Sequence, residues 1–106
     1  MLLILGDIKM NIYKTARWKK KREHILKRDT YTCQHFKRYG KNIEATTVHH
    51  IYPVEIYPEY AWCDWNLVSL CEKAHNMMHD RDMHELTEIG ESLKRRTIPP
   101  HKKGEN

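Results

Sequence analysis

Apolar positions recur with two different periods along the chain. In TARWKKKREHILKR the apolar residues are Trp18, Ile25 and Leu26, with Ala16 adding to the stripe. The positions between them are mostly Lys or Arg. This spacing predicts an amphipathic helix from Thr15 to Arg28, capped by Thr15 and ended at Asp29-Thr30. The next stretch, CQHFKRYGKN, turns at Tyr39-Gly40-Lys41. ATTVHHI is rich in β-branched residues and predicts a strand. Pro53 and Pro58 close that strand and leave an extended loop. Leu67-Val68-Ser69-Leu70 alternates weakly and predicts a second short strand. EKAHNMMHDRDMHE predicts a helix carrying His75 and His79, and ELTEIGESLKRR a last short helix weakened by Gly90. Residues 1–13 are expected to form an N-terminal arm and residues 97–106 a flexible polar tail. A single domain is left over residues 14–96, as a chain of 106 residues implies.

The same pattern excludes some classes. MLLIL is too short to span a bilayer, lacks a basic flank and has no cleavage site, so no membrane association is expected. Met10 is an alternative start. Cys33, Cys63 and Cys71 are an odd number with no secretory signal, which argues against a disulfide framework and for a reducing cytoplasm.

Charge changes the picture more than composition does. The formal charge is +5, but it is unevenly spread. Residues 14–41 hold eleven Lys and Arg against Glu23 and Asp29, whereas residues 42–93 hold ten acids against Lys73 and Arg81. A basic half beside a His-rich acidic half points to a polyanion held next to a cation site. The candidate DNA-binding residues are Arg17, Lys19, Lys20, Lys21, Arg22, Lys27, Arg28, Lys37 and Arg38. The plain alternative is a solvated helix face.

His75 and His79, four apart on a helix, share one face and can offer two imidazoles to one metal. Alone, such a pair is also what a coincidental surface pair looks like. It gains weight from His49-His50 on the preceding strand. Neighbours on a strand point to opposite faces, so one of the two can join the helix pair. That makes three nitrogen donors with open positions, the pattern of a catalytic metal site. His24, His84 and His101 read as exposed surface residues. Trp18, Trp62 and Trp65 read as core or loop anchors.

The order His49-His50, Asn66, His75, His79 resembles the HNH endonucleases, and VHHIYPVEIYPE…WNLVSLC…H…H is most like the small HNH proteins of phages of Gram-positive bacteria. The likeness runs over roughly Trp18 to Arg81. It implies an α+β fold, a ββα-metal hairpin over about 46–81, preceded by the basic helix and followed by a short C-terminal helix. It also assigns the pair: His49 joins His75 and His79 as metal ligands, and His50 is the general base. Asn66 braces the loop without touching the metal. The implied activity is a metal-dependent DNA endonuclease or nickase, acting on double-stranded DNA in a bacterial host cell. As a phage protein it would aid genome packaging with the terminase or play a homing-type role, as a monomer or a dimer. The cofactor is one divalent ion among Mg²⁺, Mn²⁺, Ni²⁺, Co²⁺ and Zn²⁺. The competing reading is a DNA-binding module that keeps the hairpin and does not cut.

Many relatives carry two C-x-x-C pairs around a structural zinc. Here each pair keeps only its first cysteine, Cys33 and Cys71, with Phe36 and Ala74 in the second positions. No structural zinc is expected. Phe36 should fill the space beside Ala74, with both thiols buried and free.

Overall fold

The computed structural model describes residues 12–80, 82–83 and 85–100. The expectations placed on Met1–Lys9, Met10, His84 and His101 lie outside them. Helix α1 runs Ala16–Arg28, and the Thr15 hydroxyl accepts from the Trp18 amide at its start, a cap worth about 1 kcal/mol. It buries Trp18, Ile25 and Leu26, while Ala16 is exposed. A short helix α2 (Gln34–Lys37), absent from the sequence reading, precedes a turn at Gly40. There φ is +77°, a conformation glycine adopts freely.

Strands β1 (Thr47–His50) and β2 (Leu67–Leu70) form an antiparallel ribbon, pairing His49 with Val68 and His50 with Leu67. The long connection between them carries two single turns of 3₁₀ helix, Pro58–Tyr60 and Asp64–Asn66. Helix α3 (Glu72–Met78) follows directly, with the Cys71 sulfur as N-cap acceptor for the Ala74 amide. A hairpin of two-residue strands, β3 (His79–Asp80) with β4 (Glu85–Leu86), leads into helix α4 (Glu88–Arg96).

The ribbon is covered on both faces, and this decides the site. Val48, Leu67 and Ala45 pack with Trp18, Ile25 and Leu26 of α1 in one apolar cluster. On the other face Leu70 packs with Cys33, Cys71, Ala74 and Met78, and Phe36, Val68 and Leu93 lie against them. Each fully buried large aliphatic side chain contributes about 1.5–3 kcal/mol. Phe36 and Ala74, standing where the paired cysteines would be, share this second cluster with Cys33 and Cys71.

Two expectations are corrected. The third helix stops at Met78, and His79 is extended (φ −123°, ψ 138°) at the start of β3. The reason lies further along the chain: the Thr87 amide and hydroxyl donate to the Met78 and Met77 carbonyls and so finish the helix. Gly90 is not a weak point of the last helix. A Cβ there would come within 2.5 Å of the Met78 carbonyl oxygen, so the glycine lets α4 seat against α3.

Of the N-terminal arm, Ile12 and Tyr13 are described. Ile12 is buried in the α1 cluster and Tyr13 packs against it. At the other end Thr97 is tied down: its carbonyl accepts from the Tyr52 hydroxyl at 2.7 Å. No helix among the described residues is long and apolar enough to cross a membrane.

Candidate functional site

The alternation of β1 separates its two histidines. His49 faces α3 and His50 faces α1, and because both faces are covered, both are buried. The His49 ring lies 5.2 Å from that of His75 and 5.0 Å from that of His79, centroid to centroid. His75 and His79 are 4.9 Å apart. One nitrogen from each falls within 4.8 Å of the other two. Nitrogens around a tetrahedral ion with bonds of about 2.0–2.1 Å sit roughly 3.4 Å apart, so small ring rotations suffice to close the set on one ion. The donor chemistry fits a borderline divalent cation, held by three imidazoles with positions left open. His79 reaches the cluster from an extended C-cap rather than from a helix turn.

His50 has a different environment. Its ring stacks on Trp18 at 5.3 Å and 20°. Its Nε2 lies 3.0 Å from the Ala61 carbonyl oxygen, and its Nδ1 lies 3.1 Å from the Tyr13 hydroxyl. A carbonyl oxygen only accepts, so Nε2 carries the proton and Nδ1 is the basic nitrogen.

Asn66 is fully buried and ties the loop between the strands together. Its side-chain oxygen accepts from the Tyr52 amide at 2.7 Å, and its amide group donates to the Tyr52 and Tyr60 carbonyls. Tyr60 precedes Ala61, whose carbonyl orients His50. Asn66 is thus linked to the ring of His50 through Tyr60 and the Ala61 carbonyl.

A cleft of about 250 Å³ opens over these groups, lined by His49, His50, His75 and His79 with Tyr13, Arg22 and Glu55 among its walls. The Tyr13 phenol is pushed up to about 12, by burial and then by the charge of Glu55.

No protein-family model matches the chain, and no curated protein is similar to it. A solved structure is: the HNH endonuclease of the deep-sea thermophilic bacteriophage GVE2, determined with a manganese ion. It matches with a TM-score of 0.65 and 30% identity over 68% of this chain and 78% of that one. The chain belongs to the HNH endonuclease family. Its ribbon-and-helix core is the HNH fold, and its three-histidine cluster can hold a metal, so it is a member of a nuclease family with the means to bind a cation.

The basic residues of this HNH protein do not form one uniform surface. Lys21 and His24 pair with Asp64, whose carboxyl is held below its usual value chiefly by the Lys21 bond. Arg28 binds Asp29 and donates to the Asp64 and Leu67 carbonyls. Arg17 lies 3.8 Å over the Trp62 ring. Arg22 donates to the Thr46 carbonyl at the edge of the cleft. Lys19, Lys20, Lys27, Lys37 and Arg38 are exposed. Sequence reasoning missed Tyr13 and the Ala61 carbonyl. No spacing rule links position 13 to position 50, and a backbone carbonyl has no residue type to read.

Proposed function

We propose that this HNH protein is a metal-dependent endonuclease acting on double-stranded DNA. The observation that carries the reading is the division of labour on β1: His49 turned to His75 and His79, His50 turned the other way with Nδ1 as its basic atom. His49, His75 and His79 would hold the ion. Once bound, it would polarise the scissile phosphate and stabilise charge on the departing oxygen. His50 takes the proton of the attacking water at Nδ1, and the Ala61 carbonyl stabilises the imidazolium through Nε2–H. Asn66 keeps that carbonyl in place through Tyr60. Arg22 is poised at the cleft to meet a phosphate oxygen. Lys19, Lys20 and Lys27 supply the outer phosphate contacts, joined by Lys37 and Arg38, and α1's inward-tied cations position the helix. The donor set favours Mn²⁺, Co²⁺, Ni²⁺ or Zn²⁺ over Mg²⁺, which prefers oxygen. The manganese of the phage GVE2 enzyme supports that order. The bacteriophage source of that enzyme supports a phage role, and we extend the proposal to genome packaging with the terminase, nicking as a monomer or cutting both strands as a dimer.

The test is supercoiled plasmid incubated with each of these ions, beside His50→Ala. Metal-dependent nicking lost in the variant is the expected result. If both proteins are inert in every ion yet both retard DNA on a gel, the chain is a binding module and the reading fails.

A further inference from the structure

The nitrogen of His50 that would accept the proton already has a donor on it. With Nε2–H bound to Ala61, Nδ1 keeps a single in-plane lone pair. The Tyr13 hydroxyl, 3.1 Å away, is therefore the donor in that contact. A lone pair of this kind accepts one well-aligned hydrogen at a time. A water that His50 is to deprotonate needs the same lone pair along the same direction. We infer that Tyr13 is a positioning residue that caps the general base: its phenol holds Nδ1 and the His50 ring in the resting chain, and attacking water reaches Nδ1 only when the Tyr13 side chain turns away.

Three further observations carry this. Tyr13 is half-buried and lines the same cleft as the four site histidines, so its movement opens directly onto them. Its ring meets Trp18 edge-on at 5.1 Å, and Trp18 in turn stacks on His50, so phenol and base are held against one side chain. The phenol keeps its proton throughout the neutral range, so it caps the base and cannot replace it. The residue sits two positions before the Thr15 cap of α1. The segment that enters the helix thus controls a nitrogen 37 positions further along the chain.

The inference rests on the nuclease reading for its consequence, and on His50 alone for its structure, so two measurements separate them. Tyr13→Phe keeps the ring against Trp18 and removes the hydroxyl. In single-turnover cleavage at saturating metal it should cut about fivefold faster, the population a neutral hydrogen bond would otherwise hold back. Its affinity for DNA measured without metal should change less than about twofold. In the metal-free protein, long-range ¹H–¹⁵N spectra should show His50 as the Nε2–H tautomer, and Tyr13→Phe should shift the Nδ1 resonance toward that of a free acceptor. A variant that cuts no faster than an active wild type overturns the cap. So does an Nδ1 resonance that does not move, whether or not the protein cuts. A wild type that is inert with every metal, while Nδ1 shifts as expected, leaves the cap in place and sinks the nuclease reading instead.

Discussion

Asn66→Ala is the substitution whose cost follows most directly from the geometry. The side chain makes three hydrogen bonds, one accepted from the Tyr52 amide and two donated to the Tyr52 and Tyr60 carbonyls, with no exposure to solvent. Truncation leaves the part-buried Tyr52 amide without its acceptor, which costs about 1–3 kcal/mol. The two lost carbonyl bonds add roughly 0.5–1 kcal/mol each on the same scale. The total is about 3 kcal/mol, a large share of the ~5–15 kcal/mol typical of a domain. In urea, with a slope of about 1.5 kcal/mol/M, the midpoint should fall by about 2 M. The assay is tryptophan fluorescence on the metal-free protein. Asn66→Asp sharpens the reasoning. It keeps the acceptor for Tyr52 but aims a negative charge at two carbonyls, so it should be at least as unstable at neutral pH. Its folded carboxyl pKa would be raised above the unfolded ~3.9, so stability should return in part as the pH falls and the group protonates. Where the Ala variant remains folded, cleavage should still drop, because the Ala61 carbonyl loses its anchor. An Ala variant within about 1 kcal/mol of wild type would refute the bracing argument.

Gly90→Ala should destabilise by about 1–3 kcal/mol in a thermal melt, although alanine is the better helix former, because the Met78 carbonyl stands 2.5 Å from the new methyl; a raised melting temperature would refute this. Burial pushes the Asp29 carboxyl up, but bonds from Arg28 and Ser69 outweigh it and hold it below its ordinary value. Its stabilisation is therefore full above pH ~4 and fades as pH falls through the lowered value, so Asp29→Asn should flatten part of the acid limb of stability against pH. Replacing exposed Lys19 and Lys20 together should reduce the slope of log K against log salt by about 2 if each meets a phosphate, and an unchanged slope would remove α1 from the DNA face. Elemental analysis of purified protein should find at most one metal per chain, lost in His75→Ala, whereas a second, zinc equivalent would show that Cys33 and Cys71 do not replace metal with packing.

Much of the fold could be read locally. The stripe of Trp18, Ile25 and Leu26 placed α1 to within a residue, since a helix face is written by spacing and its cap by Thr15. The β-branched run before His49 and the alternation of Leu67–Leu70 located both strands for the same reason. The pair at 49 and 50 even carried its own division, because a strand's period of two sends neighbours to opposite faces. Other features had no local signature. His79 leaves the helix because Thr87 takes its last carbonyls, Gly90 is required by a carbonyl on another helix, and α1's cations are sorted by Asp64, which lies across the fold. The proton on His50 is placed by the Ala61 carbonyl and the Tyr13 phenol, one a backbone atom and the other 37 positions away. Periodicity records which face of an element is buried, whereas hydrogen-bond partners across the fold are chosen by packing, and packing exists only once the chain has closed on itself.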